Sequence, residues 1–474
     1  MKDINQLLDR ITQRIRINLR EQGFDIQPYV EHTIPLNQLI KFYAFYGITP
    51  HHPLNFHFSH SSLAGSYFLG KCSVDHSILY KSDIRGDELK QKGDVFSFGN
   101  ETISVHEDEA IDIRDSFLIK TLVHNYSHDP ESLENFFIHD TLAMHYANIH
   151  GSPTEGCFME PFSTVDLTTQ HDCIIGRYSY IQVGEMSHMK IPAGTIWIRK
   201  PGIFNFLYRY PLDLLDRYIR FSPEEGPPQG IFMEFIEERK ADFKKVFDVM
   251  HVDPSIHIPK GASLDRYAVV KPKVQIGENV LVAQRAYLEN CWLGKGANAQ
   301  ENCYIVHSRL EGYDVTAHGA KLIHALLDRN VFVGFNSFVR GSVAHPVRIG
   351  KGCIVMPHTI IDVAEGVSIP DDHIVWGIVQ SESDLQVHSM PIDRFSHIAD
   401  GIMVGDMIFE GDGAAFVHAF RHRIEHILEA NGAYFDGIHN QGHAQRNRFI
   451  AFNTIQPYPD GDRMGMYPTI DIRP

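Results

Sequence analysis

No apolar run in the 474 residues approaches the roughly 18 that span a bilayer, so nothing in the chain reads as a membrane helix. The first twenty residues alternate charges with Leu7, Leu8, Ile11, Ile15 and Leu19 at helical spacing. They lack the uncharged core of a signal peptide, and a cytoplasmic location is expected. The six cysteines, Cys72, Cys157, Cys173, Cys291, Cys303 and Cys353, form no C-x-x-C pair. That spacing argues against a disulfide framework and a zinc ribbon, and leaves reduced, buried thiols. No sustained basic run offsets the formal net charge of −16, which repels phosphate backbones and anionic lipid, so neither nucleic acid nor membrane is an expected partner. G-x-S-x-G, the P-loop, H-E-x-x-H and G-x-G-x-x-G are also missing, and with them the usual signatures of serine hydrolases, nucleotide-phosphate enzymes, zincins and Rossmann proteins.

What the chain has in excess is histidine, 29 residues of it. Imidazole is both the commonest metal ligand and a near-neutral acid or base, so composition alone leaves both uses open. Hydrophobic residues at 43% and charged residues at 22% are globular values. The length calls for more than one structural unit.

A period of six runs through the C-terminal half. From Ile258, aliphatic residues recur at Leu264, Val270, Ile276, Val282 and Leu288, then in a new register at Leu293, Ala299 and Ile305. The pattern returns at Val333 and Val339 and at Ile349, Val355, Ile361 and Val367. Glycine follows the aliphatic residue at Gly277, Gly294, Gly334 and Gly350, where a tight corner favours a residue without a Cβ. A helix would repeat near 3.6 and a half-buried strand by two. The six-residue step resembles the hexapeptide repeat of left-handed parallel β-helices, in which three short strands make one triangular coil.

Earlier in the chain, Ile78 and Ile84, and Ile175 and Ile181, are six apart, and residues 190–202 have the same Ile-Pro ending as residues 367–379. The expected fold is therefore mainly β: left-handed parallel β-helix units in tandem with flanking and inserted α-helices. The expected divisions are a helical or irregular segment over 1–58, a first, irregular β-helix unit over 59–203, a helical connector over 204–251, a second β-helix unit over 252–385, and a C-terminal helix and irregular tail over 386–474.

The sharpest chemical constellation is AMHYANIHG, with His145 and His150 in His-x4-His-Gly spacing. Here the sequence resembles γ-class carbonic anhydrases, left-handed β-helices whose trimers bind a metal through three histidines and complete the site with a neighbouring subunit. The resemblance implies a divalent metal, zinc or else iron or cobalt, held by His145, His150 and a third histidine. That third ligand is open among His124, His128 and His139, His124 being the closest in sequence distance. It also implies an Arg85–Asp87 ion pair, from IRGD, and a homotrimer acting on a small molecule. A metal-bound hydroxide would hydrate carbon dioxide, making the chain a lyase, with Glu155 or Glu160 as proton acceptor. The family's glutamine-bearing strand is replaced by DIRD, with Arg114 where glutamine should be, and residues 88–110 are inserted. The C-terminal half echoes the family through Gln300, His307, His318 and His324, with one residue too many between the last two.

Histidines at β-helix corners also serve simply as hydrogen-bonding groups. Two further groups are weaker signals, one in residues 51–60 and the other at His418, His422 and His426, four apart on one helical face, which reads as a solvated or intersubunit face rather than a metal site. Two alternatives stand beside the lyase. One is a hexapeptide-repeat acyltransferase with coenzyme A as donor and His76, His307 or His358 as base. The other is a scaffold whose incomplete sites serve only packing.

Overall fold

In a computed structural model, which describes residues 2–31, 33–40, 44–98, 100–125, 136–247, 257–455 and 467–473, the chain divides into two compact units. The first comprises Met1–Trp197, Leu212–Gly230 and Ile450–Pro474, and the second Ile198–Pro211 and Ile231–Phe449.

The first unit is a stack of triangular coils whose short strands pair in parallel with the coils before and after. One face runs through Ser66–Leu69, Asp83–Arg85, Leu122–His124, Asn148–His150, Thr164–Asp166 and Tyr180–Gln182. Alternation along each strand turns one residue inward. Ile84, Val123, Ile149, Val165 and Ile181 are thus in register and fully buried. Each such aliphatic side chain contributes about 1.5–3 kcal/mol on burial. The helix Lys2–Asn18 lays Ile4, Leu7, Ile11 and Ile15 against Ile78, Phe117, Leu142 and Phe158 on the outside of a second face. Its Arg10 and Arg14 form ion pairs with Asp115 and Asp140 at the coil corners. The insertion at 88–110 carries an antiparallel hairpin, Val95–Phe98 with Glu101–Ser104.

The second unit repeats the architecture more regularly. Val270, Leu288, Ile305, Leu322, Val339, Ile361 and Val379 form one inward column. In the neighbouring column Thr316 takes the place between Ala299 and Val333, which is where the aliphatic period lapses in the sequence. The corner at Asn290, with φ 45°, absorbs the shortened step between Leu288 and Leu293. Helix Ile231–Val246 packs Phe232 and Phe235 over Phe338 and Tyr304 on the outer face.

The mainly β, left-handed β-helical class holds, with different boundaries. Strands Ala44–Ile48 and Phe56–Ser61, within the stretch expected to be helical or irregular over 1–58, already belong to the first coils. The expected connector contains a strand, Phe204–Arg209, paired with Met407–Gly411. The tail expected to be irregular supplies Ala451–Ile455 and Tyr467–Ile472, which pair antiparallel with those two first strands. A local pattern of six cannot reveal such returns, because the partners are hundreds of positions apart. All six cysteines are free and buried. Among the described residues no helix is long and apolar enough to cross a membrane.

Candidate functional site

The strands that place Ile84, Val123, Ile149 and Val165 inward each end on a polar residue, and the register stacks Arg85, His124, His150 and Asp166 in a row. Arg85, His150 and Asp166 are nonetheless buried, Asp166 completely. A buried charge needs a partner, and each has one. Asp166 Oδ1 lies 2.8 Å from His150 Nδ1, and its other oxygen accepts the hydroxyl of Tyr180. Tyr180 stands on the next strand, and its hydroxyl oxygen also lies 3.0 Å from Gln182 Oε1. Arg85 grips Asp87 through two bonds, of 3.3 and 2.6 Å. Asp87 Oδ1 also approaches His124 Nε2 at 3.4 Å, and its carbonyl faces His52 Nε2 at 2.9 Å. The rings of His124 and His150 are 5.0 Å apart, edge to face.

A carboxylate against Nδ1 holds the imidazole as the Nδ1–H tautomer, puts the basic lone pair at Nε2, and stabilises the imidazolium formed when Nε2 takes a proton. The same arrangement orients a metal-ligating histidine. His150 can therefore serve as a base or, with His124, as a ligand.

The other sequence-derived candidates fall elsewhere. His145 is buried on the corner between strands Leu142–Ala143 and Asn148–His150, and its ligand atoms do not group with those of His124 and His150. His139 stands on another face of the coil, 3.0 Å from Asp112 Oδ2. His128 lies outside the described residues. Glu155 faces His171 Nδ1 at 3.2 Å, on the same face as His139. Glu160 accepts the Arg177 backbone N–H at 2.7 Å, and burial pushes its carboxyl up. The structure thus brings neither glutamate to the His124–His150 pair.

In the second unit, His318 Nδ1 lies 2.8 Å from Glu301 Oε2, both buried. His307 and His324 stack at 4.8 Å on a corner, and burial lowers the pKa of His324. Gln300 is buried beside Glu301 in sequence. His358 is fully buried, its carbonyl accepting the Tyr210 hydroxyl at 2.6 Å. His76 sits beside Asp75 in the first unit.

Sequence reasoning missed Asp166 and Tyr180. The signal was available: Asp166 follows His150 by 16 positions, one coil, the same step that joins Asn148 to Thr164.

Residues 101–223 match the family model "Hexapeptide repeat including loop". A candidate acetyltransferase from Desulfovibrio desulfuricans G20, known from a crystal structure, is 51% identical; the match covers 100% of this chain and 99% of that one, with a TM-score of 0.92. The perosamine N-acetyltransferase of Caulobacter crescentus, solved with CoA and GDP-perosamine, is 22% identical over 23% of this chain and 49% of its own. Its TM-score is 0.13. No curated protein matches. The end-to-end likeness to a candidate acetyltransferase overturns the expected carbonic anhydrase-like lyase. The geometry agrees with that correction, since His124, His145 and His150 do not assemble as one ligand set within their unit.

Proposed function

The chain belongs to the hexapeptide-repeat family of left-handed β-helix proteins, and from that premise we propose that it is an acyltransferase using His150 as general base. The observation that carries this reading is the buried His150–Asp166 pair at 2.8 Å. An acceptor amine or hydroxyl attacks the carbonyl carbon of an acyl thioester such as acetyl-CoA, and His150 Nε2 takes the acceptor proton. The C–S bond then breaks, and the thiolate leaves and is protonated. Asp166 and Tyr180 hold the imidazole and its charge, while Arg85 and Asp87 position His124 beside it. The acceptor is a small molecule, and the assembly is a homotrimer.

One observation favours a second reading of the same residues. Two imidazoles 5.0 Å apart, one backed by a carboxylate, form a partial donor set for a divalent ion such as zinc, iron or cobalt. In that case His124 and His150 hold the ion, which would polarise a bound oxygen ligand.

The test is coenzyme A release from acetyl-CoA across a panel of amine and hydroxyl acceptors, with and without chelator. The parent should turn over in both conditions. His150→Ala should lower kcat about 10²–10⁴-fold, the usual contribution of a positioned base, and Asp166→Asn should lower kcat with KM little changed. Turnover unaffected by either substitution rejects the base assignment. Activity lost to chelator and restored by zinc transfers the pair to the second reading.

A further inference from the structure

A different histidine cluster lies at the corner of the first coils of the first unit. His60 ends one coil's side and His76 ends that of the next, joined by the backbone bond from His76 N–H to Ser59 C=O at 2.9 Å. Both have left-handed backbones, φ 48° and 44°, and their rings stack 4.8 Å apart at 13°. That separation matches the strand spacing of a sheet. Asp75 completes the group, and one ligand atom from each of His60, Asp75 and His76 lies within 4.8 Å of the other two.

Two details set this cluster apart from ordinary corner histidines. His76 Nδ1 is enclosed and has no hydrogen-bond partner, yet it sits 2.9 Å from Asp75 Oδ1. A nitrogen and a carboxylate oxygen at that separation, without hydrogen-bond geometry, have the spacing of two ligands on one ion at bond lengths of about 2.0–2.2 Å. His60 Nδ1 is engaged by the Ser59 hydroxyl at 2.8 Å, which orients that ring and leaves Nε2 as its ligating atom. Further along the same corner, Asp115 and Asp140 are paired by Arg10 and Arg14 from the N-terminal helix. Arg10 also feels the charge of Asp75, but among the described residues no arginine or lysine pairs with it directly, so the corner at His60 and His76 keeps its carboxylate as a donor.

We propose that His60, Asp75 and His76 form a binding site for a divalent transition-metal ion, with water in the remaining positions, that clips the first coil to the second. Two imidazoles and one carboxylate suit zinc, cobalt or nickel. The site is half exposed, so the ion exchanges with solvent. Because the ion binds only the folded corner, it stabilises the stack by mass action.

The test compares the full chain with His60→Asn/His76→Asn. Asparagine tolerates the left-handed backbone, so the corner is kept while the ligands are lost. Zinc titration by calorimetry should show one equivalent fewer per chain in the variant than in the parent, and the difference isolates this site from the other histidines. Zinc should raise the parent's Tm by more than the variant's. Asp75→Asn, which leaves both histidines in place, should weaken that equivalent at least tenfold. Equal stoichiometry and equal zinc-induced Tm shifts in parent and double variant overturn the proposal, provided both have the same Tm in chelator. If the double variant unfolds in chelator, the Asp75→Asn titration decides alone.

Discussion

Lys321 lies at the end of its outer face under helix Ile231–Val246, only 2% exposed, between the rings of Phe232 and Tyr304. Its Nζ donates to the Gly319 carbonyl at 2.6 Å, and burial pulls the ammonium down to about 7. Between that value and the ordinary lysine range the unfolded chain carries a proton that the folded chain does not, so stability rises with pH across this window. Below pH 7 both states are protonated and the effect is flat. The expected slope is at most about 1.4 kcal/mol per pH unit. Urea unfolding at pH 7, 8 and 9 should show a rising midpoint in the parent. Lys321→Met should be more stable at pH 7 and show a flatter series; parallel series would place the charge in solvent. Such residues are hard to read from sequence, because a lysine on an outward strand position looks solvated until a helix covers it. Asp166 was harder to read than its 16-residue step from His150 suggests. His150 is legible as a histidine in a motif, but its partner is set by a coil length that the irregular first unit displays only in pieces.

At the scale of the element, the glycines of the repeat were legible in position and in their lack of a Cβ, but not in what a Cβ would strike. Gly334 does not have a left-handed backbone; a Cβ there would lie 2.5 Å from Pro357 N in the next coil. The left-handed residue comes two positions later, at Asn336, and likewise at Asn279, Gly296 and Gly352 after Gly277, Gly294 and Gly350. Each corner thus uses one residue for close approach of the next coil and another for the turn. The ends of a β-helix pose a different problem, since a terminal coil exposes unpaired backbone groups that template association. Ala451–Ile455 and Tyr467–Ile472 pair along Ala44–Ile48 and Phe56–Ser61 and cover that edge in the first unit. Removing residues 450–474 should leave the coils folded by circular dichroism but shift the protein to larger species in size-exclusion chromatography. A truncated protein that elutes as the parent does would show that the terminal strands are dispensable.

For the whole molecule, the two β-helical units were legible because stacked coils impose a repeat on the sequence, while the interleaving was not. Ile198–Pro211 joins the second unit and Ile450–Pro474 the first through strand pairings, and Leu212–Gly230 joins the first through side-chain contacts such as Arg177 with Asp216, none of which leaves a local period. Composition bears on the molecule at the same scale. With histidine neutral the charge is −16, and the 29 imidazoles are the groups available to offset it as pH falls, giving a sequence isoelectric point near 6.0. The fold withholds some of them. Burial lowers the pKa of His324 and His388. Burial also raises the carboxyls of Glu160, Asp172 and Asp314, which removes negative charge and acts in the opposite direction. The two effects offset each other, so electrophoretic light scattering should find the mobility of the folded chain reversing close to pH 6.0, as that of the urea-unfolded chain does. A folded protein that reverses well below the unfolded chain would mean that the imidazoles kept neutral by burial outweigh the raised carboxyls.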